Sequence, residues 1–298
     1  MIAIKNILVA TDFGEAADSA LSYGRELAGR FGATLHVLNV VENFYVTTFG
    51  AETYAAFVPE MQRELENAAR KRLDEALIDS DGSGPATRPA VMTSGSAAYA
   101  IVDYARENNI DLIVMGTHGR RGFDRLLLGS VTEGVMRKAS CPVLTVNKTL
   151  HKVIYSDEQP GILHLNKILF CTDFSENSQK AFDHAMFLAS EYRAELTLLH
   201  VLEDIPDPAK IPEATETARG QLDHLIPAEA LDMDNIRIRT AVRIGKAYQQ
   251  IIELASEAPM DLVIMAVRGR GTLDFAVFGS TTHRVVQFGP CPVLIVHD

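Results

Sequence analysis

A glycine-rich pattern in the first half of the chain has the residue types and spacing of a phosphate cradle. The pattern is G-x2-G-x9-G-S, formed by Gly116, Gly119, Gly129 and Ser130. Glycines let a backbone approach a ligand closely and turn without a Cβ penalty. Gly129 and Ser130 open a predicted helix, whose unpaired N–H groups and positive dipole end favour an anion. Ser130 and Thr132 are expected to add hydroxyl donors, and the pattern lacks the lysine of a Walker loop.

Asp12 and Val40 are expected to complete a nucleotide site with this pattern. A carboxylate does not favour phosphate, but Asp12 can accept hydrogen bonds from ribose hydroxyls or an exocyclic amine, or hold a metal. Val40 ends the second predicted strand, where it would supply an apolar wall for a base. Two alternatives stay open: Asp12 is the N-cap of the first helix, or the glycines are ordinary loop residues.

The elements that must position these residues alternate between strand and helix. Such βα alternation implies a parallel sheet with helices on both faces, and ligands bind where the strand order reverses, at the carboxyl ends of strands. In the first half of the chain, strands are predicted at Asn6–Thr11, Thr34–Val40, Arg88–Met92, Leu112–Gly116 and Pro142–Val146, with helices at 15–31, 51–78, 97–108 and 130–139. In the second half, strands are predicted at Lys167–Thr172, Glu195–Val201, Ile236–Thr240, Leu262–Ala266 and Pro292–Val296.

The chain contains two copies of one unit. Residues 7–42 align without gaps on residues 168–203 with 14 identities in 36 positions, and residues 95–147 align likewise on 245–297. We predict domains at 1–150 and 160–298, with a boundary near residue 155 inside the polar, turn-rich connector 148–165.

The first copy carries an insertion between its second and third strands. Its aromatic stretch, 44–57, is either a helix-capping loop packed on its own domain or a lid or partner-contacting surface. Residues 79–85 are typical of a flexible turn.

Composition excludes several classes of protein. The chain has 298 residues, 47% hydrophobic and 22% charged, as expected of a folded protein of about two domains. With 28 basic and 39 acidic residues its net charge is −11, which argues against a nucleic-acid coat. Three cysteines suit a reducing cytoplasm rather than a disulfide framework. No signal peptide, membrane span or structural zinc site is expected.

The chain resembles the universal stress protein family in its tandem-domain form. Three motifs carry the resemblance: the first-strand signature I-L-V-A-T-D-F, which includes Ala10, Thr11 and Asp12; the pattern G-x2-G-x9-G-S; and a final strand C-P-V-L-x-V at Cys141–Val146 and Cys291–Val296. The resemblance implies two doubly wound five-stranded domains with strand order 3-2-1-4-5, Rossmann-like as in the adenine nucleotide alpha hydrolases. It also implies pairing of domains through the fifth strand, binding of ATP with magnesium, and a role in stress survival.

The resemblance also assigns the residues of each site. Asp12 and Val40 would contact ribose and adenine, with Ala10 and Thr11 beside Asp12, while the phosphates would be surrounded by Gly116, His118, Gly119, Gly129, Ser130, Val131 and Thr132, with Met115 beside them. The second copy retains Asp173, Val201, Gly269, Gly279, Ser280 and Thr282. It has Ala266 in place of the first glycine, where a methyl can clash with a phosphate. Arg268 replaces His118 and could offset the change as a bidentate phosphate donor. The first site is therefore predicted to bind ATP, whereas two alternatives stay open for the second: a degenerate site, or a nucleotide site in which Arg268 offsets Ala266.

Three functions are compatible with this sequence. The leading hypothesis is a cytoplasmic, nucleotide-dependent regulator of the stress response that pairs its two domains, forms a homodimer and binds neither nucleic acid nor membrane. The second is a slow ATPase or self-phosphorylating enzyme at the same site, for which we assign no catalytic residue. The third is an interaction scaffold that binds no nucleotide. The basic residues Arg120, Arg121 and Arg125 either contact the γ-phosphate or form a solvated loop face.

Overall fold

The computed structural model describes residues 2–43, 58–78, 84–117, 128–147, 155–156, 159–160, 163–203, 207–228, 236–267 and 279–297. The first copy consists of β1 (Asn6–Ala10), α1 (Glu15–Phe31), β2 (Thr34–Glu42), α2 (Val58–Ala76), β3 (Thr87–Ser94), α3 (Ala97–Glu107), β4 (Leu112–Gly116), α4 (Ser130–Lys138) and β5 (Val143–Val146). The second consists of β8 (Lys167–Cys171), α5 (Glu176–Tyr192), β9 (Glu195–Leu202), a short 3₁₀ turn (Pro208–Lys210), α6 (Ile211–Leu225), β10 (Arg237–Ile244), α7 (Ala247–Glu257), β11 (Leu262–Ala266), α8 (Ser280–Phe288) and β12 (Val293–Val296).

All ten main strands belong to one sheet. Its order is β10-β9-β8-β11-β12-β5-β4-β1-β2-β3, so each copy has the predicted order 3-2-1-4-5. Within each copy neighbouring strands are parallel. The predicted doubly wound fold and the pairing through the fifth strands are confirmed.

The two copies meet where β5 runs antiparallel to β12. Leu144 lies opposite Leu294 in this pairing, and Val143 lies opposite Ile295. The buried hydroxyl of Thr145 donates to the carbonyl oxygen of Val293 at 3.1 Å. Hydrogen bonds and buried apolar side chains therefore join the copies at their fifth strands.

Each face of the sheet is covered by a continuous apolar layer that includes residues of both copies. One layer contains Ile7 and Phe170 and packs against α1, α2, α5 and α6. The other contains Leu8 and Leu169 and packs against α3, α4, α7 and α8. Successive strand residues point to opposite faces, which explains why these strands are uninterrupted apolar runs.

The connector contains an element that the sequence analysis did not predict. Residues 155–156 (β6) pair antiparallel with residues 159–160 (β7), which makes a small hairpin between the two copies. Among the described helices, none is long and apolar enough to cross a membrane.

Candidate functional site

A cleft of about 660 Å³ opens at the carboxyl ends of β1, β2 and β4. This volume lies within the range of small-molecule sites. The ten described residues that the sequence assigned to the first site all line it: Ala10, Thr11, Asp12, Val40, Met115, Gly116, Gly129, Ser130, Val131 and Thr132. The structure thus brings together residues from four separate parts of the sequence.

Asp12 lies in a tight turn between β1 and α1. Its Oδ1 accepts a hydrogen bond from the N–H of Gly14 at 3.0 Å, and the Thr11 hydroxyl oxygen accepts one from the N–H of Phe13 at 2.9 Å. Phe13 has a left-handed backbone, with φ of 59°. The N-cap of α1 is Gly14, so the alternative that Asp12 caps this helix is wrong. Its carboxylate closes the turn that precedes the helix instead.

The start of α4 forms the wall of the cleft that faces this turn, on the other side of the point where the strand order reverses. Its N-cap is Gly129, which has no side chain that could accept from the first turn of the helix. The N–H groups of Ser130, Val131 and Thr132 have no partner within the helix, because the first N–H groups of any α-helix lack one. They supply donors and a positive dipole end at the cleft.

Thr132 does not contribute the hydroxyl donor that we expected. The side chain is 3% exposed, and its Oγ1 donates to the carbonyl oxygen of Gly116 at 2.7 Å. A hydroxyl has one proton to donate, so this expectation was wrong. Thr282 makes the equivalent bond to Ala266 at 3.2 Å in the second copy. In both copies this threonine holds the start of a helix to the end of a strand.

Gly116 is required by packing between elements of the protein. A Cβ at this position would lie 2.8 Å from the carbonyl carbon and from the Cβ of Ala16, in the first turn of α1. From the sequence we expected this glycine to allow the close approach of a ligand. Its immediate cause is the close approach of α1 to the end of β4.

Sequence reasoning missed a wall of the cleft that comes from α2. Leu65, Ala69 and Arg72 line the cleft, and the guanidinium carbon of Arg72 lies 4.5 Å from the centre of the Phe13 ring. Their spacing of four and three residues places them on one helix face, a signal present in the insertion. Asn39 was also missed: it is 8% exposed, and its side-chain amide donates to the carbonyl oxygen of Thr11 at 2.8 Å.

Several predicted residues lie outside the described residues. They are His118, Gly119, Arg120, Arg121, Arg125, Arg268 and Gly269, together with the aromatic stretch 44–57 and residues 79–83.

Comparison with known proteins decides the family. A sequence model of the universal stress protein family matches residues 3–147 and again residues 164–297. The chain belongs to the universal stress protein family. Because the match occurs twice, the chain is a tandem universal stress protein.

Two relatives of the same family resemble the chain over almost its whole length. A universal stress protein of Mycolicibacterium smegmatis is 26% identical over 295 residues, covering 97% of this chain and 96% of the relative. The crystal structure of a universal stress protein from Archaeoglobus fulgidus has a TM-score of 0.62 at 20% identity, covering 98% of both chains. Another solved structure is a universal stress protein in complex with cAMP, 24% identical with a TM-score of 0.34, covering 45% of this chain and 98% of that one.

The second domain of this universal stress protein differs at the turn equivalent to that of Asp12. Oδ1 of Asp173 accepts hydrogen bonds from the N–H of Ser175 at 3.1 Å and from its hydroxyl at 2.6 Å. Ser175, which takes the place of Gly14, also caps α5 by accepting from the N–H of Ser178. The second carboxylate is therefore part of a helix-capping network.

The position of Asn39 is also changed in the second domain. His200 Nδ1 donates to the carbonyl oxygen of Thr172 at 2.9 Å, so this contact to the turn is kept by a different residue type. The imidazole lies 4.4 Å from the ring of Phe174, measured between centroids. A larger ring therefore occupies the place where the first domain has an amide.

Proposed function

We propose that the first domain binds ATP with magnesium and that the chain is a nucleotide-dependent regulator in the stress response. The observation that carries this proposal is the convergence of ten predicted residues on one cleft. A carboxylate lies at the end of β1, and a helix start with open N–H groups lies at the end of β4. A nucleotide has hydroxyl donors and anionic phosphates that complement these two groups.

The parts of ATP are assigned by chemistry. The phosphates lie at the N–H groups of Ser130, Val131 and Thr132, where the helix dipole favours negative charge. Asp12 accepts from the ribose hydroxyls, and Val40 packs on the base. Magnesium enters bound to phosphate oxygens, as is usual for this ion.

The second domain is proposed to bind ATP more weakly or not at all. The hydroxyl and N–H of Ser175 already donate to the carboxylate of Asp173. A ribose would have to compete with this capping network, whereas the first domain has glycine at the same position. We further propose that the protein works in the cytoplasm, as its odd number of cysteines, all buried thiols, suggests.

Regulation requires that ATP shift an equilibrium between two states of the protein. A nucleotide can do so only through a difference in its affinity for the two. In the first domain the cleft is built from β1, β4, α2 and α4, so closing these elements around ATP is the change we expect to be transmitted to a partner.

Calorimetric titration of the nucleotide-free protein with Mg-ATP tests the proposal. We expect a stoichiometry near one, with affinity lowered roughly 10- to 100-fold by Asp12→Ala, because hydrogen bonds to a charged acceptor are strong. Asp173→Ala is the matched control and should leave the affinity unchanged. Absence of binding would favour the scaffold, a stoichiometry of two would refute the asymmetry, and steady release of phosphate would favour the enzyme.

A further inference from the structure

A second cavity lies between the two domains, at the edge of the sheet opposite the first cleft. Its volume is about 350 Å³, and it lies at the amino ends of β4 and β11. The two copies contribute equivalent positions: Tyr23 and His184 are separated by the repeat offset of the first helices, and Asp111 and Asp261 by that of the fourth strands. The cavity therefore exists only because the domains are paired.

Most of the cavity wall is apolar. Leu27 and Leu188 line it from the helices, and Leu144 and Leu294 line it from the paired fifth strands. Ala3 and Ser140 also line the cavity and are exposed, so it is accessible from solvent.

The Tyr23 side chain provides a hydrogen-bond donor in this apolar wall. The residue is 2% exposed and lines the cavity. Burial raises the pKa of the phenol, so the group keeps its proton. A ligand in the cavity that carries an acceptor can take a hydrogen bond from this phenol, whereas an apolar ligand of the same shape cannot.

Two carboxylates in the cavity wall influence which ligand charge the cavity favours. Oδ2 of Asp111 accepts from the N–H groups of Lys5 and Asn6 at 2.7 and 2.9 Å. Asp261 accepts from the corresponding N–H groups of the second copy at the same distances. Both residues line the cavity. Negative charge on opposite walls disfavours an anionic ligand.

We propose that this cavity is a binding site for an uncharged, mostly apolar small molecule that carries one hydrogen-bond acceptor, to which Tyr23 donates. The ligand contacts both domains, so its binding stabilises their pairing. The site is separate from the nucleotide cleft and does not depend on the function proposed above.

A pair of related dyes tests the site and its charge preference in the full-length protein. N-phenyl-1-naphthylamine is uncharged, and 8-anilinonaphthalene-1-sulfonate has the same rings with a sulfonate. We expect saturable binding of the neutral dye at one site per chain and at least tenfold weaker binding of the sulfonate. Ala3→Trp, at the cavity entrance, should abolish binding, whereas Ile78→Trp, at an exposed position outside the cavity, should not.

A second experiment tests the role of Tyr23 by displacement of the neutral dye. 2-Acetylnaphthalene offers a carbonyl acceptor, and 2-ethylnaphthalene has a similar shape without one. We expect Tyr23→Phe to lower the affinity for the acetyl compound about 2- to 10-fold, the effect of losing a neutral hydrogen bond. The affinity for the ethyl compound should be unchanged. Tyr192→Phe is the control, because it removes a buried hydroxyl that has no partner among the described residues and that lies outside the cavity wall. This variant should change the affinity for neither naphthalene.

Each result supports or overturns the proposal. No neutral-dye binding to the folded protein, or binding that survives Ala3→Trp, overturns the site. Equal affinity for the sulfonate overturns the charge preference, and equal effects of Tyr23→Phe on both naphthalenes overturn the hydrogen bond. Circular dichroism and thermal melting establish that each variant is folded.

Discussion

The residue that adds most to the sequence-based description of the cleft is Arg72. Its guanidinium stacks on the ring of Phe13, the residue that follows Asp12 and has the left-handed backbone. This contact joins α2 to the turn that carries the carboxylate. A cation stacked on an aromatic ring also offers its other face to a planar group such as a nucleotide base.

We predict that Arg72→Gln weakens Mg-ATP binding by roughly 3- to 30-fold, the range expected from loss of a cation–π contact. Arg72→Lys keeps the charge and should weaken binding less. Arg70→Gln, an exposed position on the same helix that does not line the cleft, is the control. Calorimetry measures the affinities, and equal affinities of the Arg72 and Arg70 variants would contradict the assignment.

His36 is a second buried residue with a measurable consequence. It is 1% exposed, its Nδ1 pairs with the Tyr104 hydroxyl at 2.9 Å, and its Nε2 is buried without a partner among the described residues. Burial, with a smaller effect of Arg88, lowers the pKa of the imidazole below its ordinary value of 6.5. Folding therefore favours the neutral ring.

This pKa shift predicts a loss of stability in acid. Below pH 6.5 the unfolded chain binds a proton that the folded chain resists, so the free energy of unfolding falls as the pH drops from 6.5 through the lowered pKa. Urea unfolding at pH 7.5 and at pH 5.5 measures the free energy of unfolding, which should decrease less between the two for His36→Gln than for the original protein. Tyr104→Phe keeps the imidazole, so its free energy of unfolding should decrease as much as that of the original protein. An equal decrease in all three proteins would refute this account.

At the scale of elements, the contact between α1 and the end of β4 fixes the geometry of the cleft. The first turn of α1 lies against Gly116, and Thr132 joins α4 to the same residue. A side chain at position 116 would push α1 away and move the turn that carries Asp12. The second domain has Ala266 at the equivalent position.

We expect Gly116→Ala to destabilise the protein by about 1–3 kcal/mol, the usual effect of overpacking. Gly29→Ala is a matched control within α1, because nothing lies within 4 Å of the added methyl group. That change should stabilise the protein by about 0.5–1 kcal/mol, since alanine favours a helix interior over glycine. Urea unfolding measures both, and similar effects would contradict the packing role.

The sequence predicted most elements because their signals are local. The start of α1 and its end before Gly32, which has φ of 63°, agree with the prediction, and so do the limits of β4. The hydrogen bonds of the Asp12 turn were harder to predict, because the side chains of Thr11 and Asp12 can both accept from nearby N–H groups. Which of these hydrogen bonds form depends on where the helix starts. Arg72 was missed because the contact between α2 and the turn is long-range. The strand order came from family resemblance.

At the scale of the molecule, the sheet and both apolar layers run through the two domains without a break. The division at 1–150 and 160–298 stays a prediction, as does a homodimer of the whole chain. The fifth strands already pair within one chain, so a homodimer would need another surface. Such a continuous structure should unfold cooperatively.

We predict that Leu294→Ala, at the pairing of β12 with β5, lowers the stability of both domains together by about 2–5 kcal/mol, the usual cost of a buried leucine truncation. Leu294 is 4% exposed and lies opposite Leu144 of the other domain. Hydrogen exchange of amides in β1 and β8 reports on each domain separately. Loss of protection in β8 alone would show that the domains unfold independently.

The ends of the sheet explain how ten strands avoid polymerising. The outermost strands are β3 and β10, and exposed strand edges are templates for aggregation. β3 contains Pro89, which lacks an N–H to donate, and Arg88; β10 contains Arg237, Arg239 and Arg243. Proline and charged side chains on an edge strand oppose pairing with another molecule. The tandem arrangement thus encloses the apolar fifth strands at the centre of the sheet and leaves at its two margins only strands that resist amyloid-like growth.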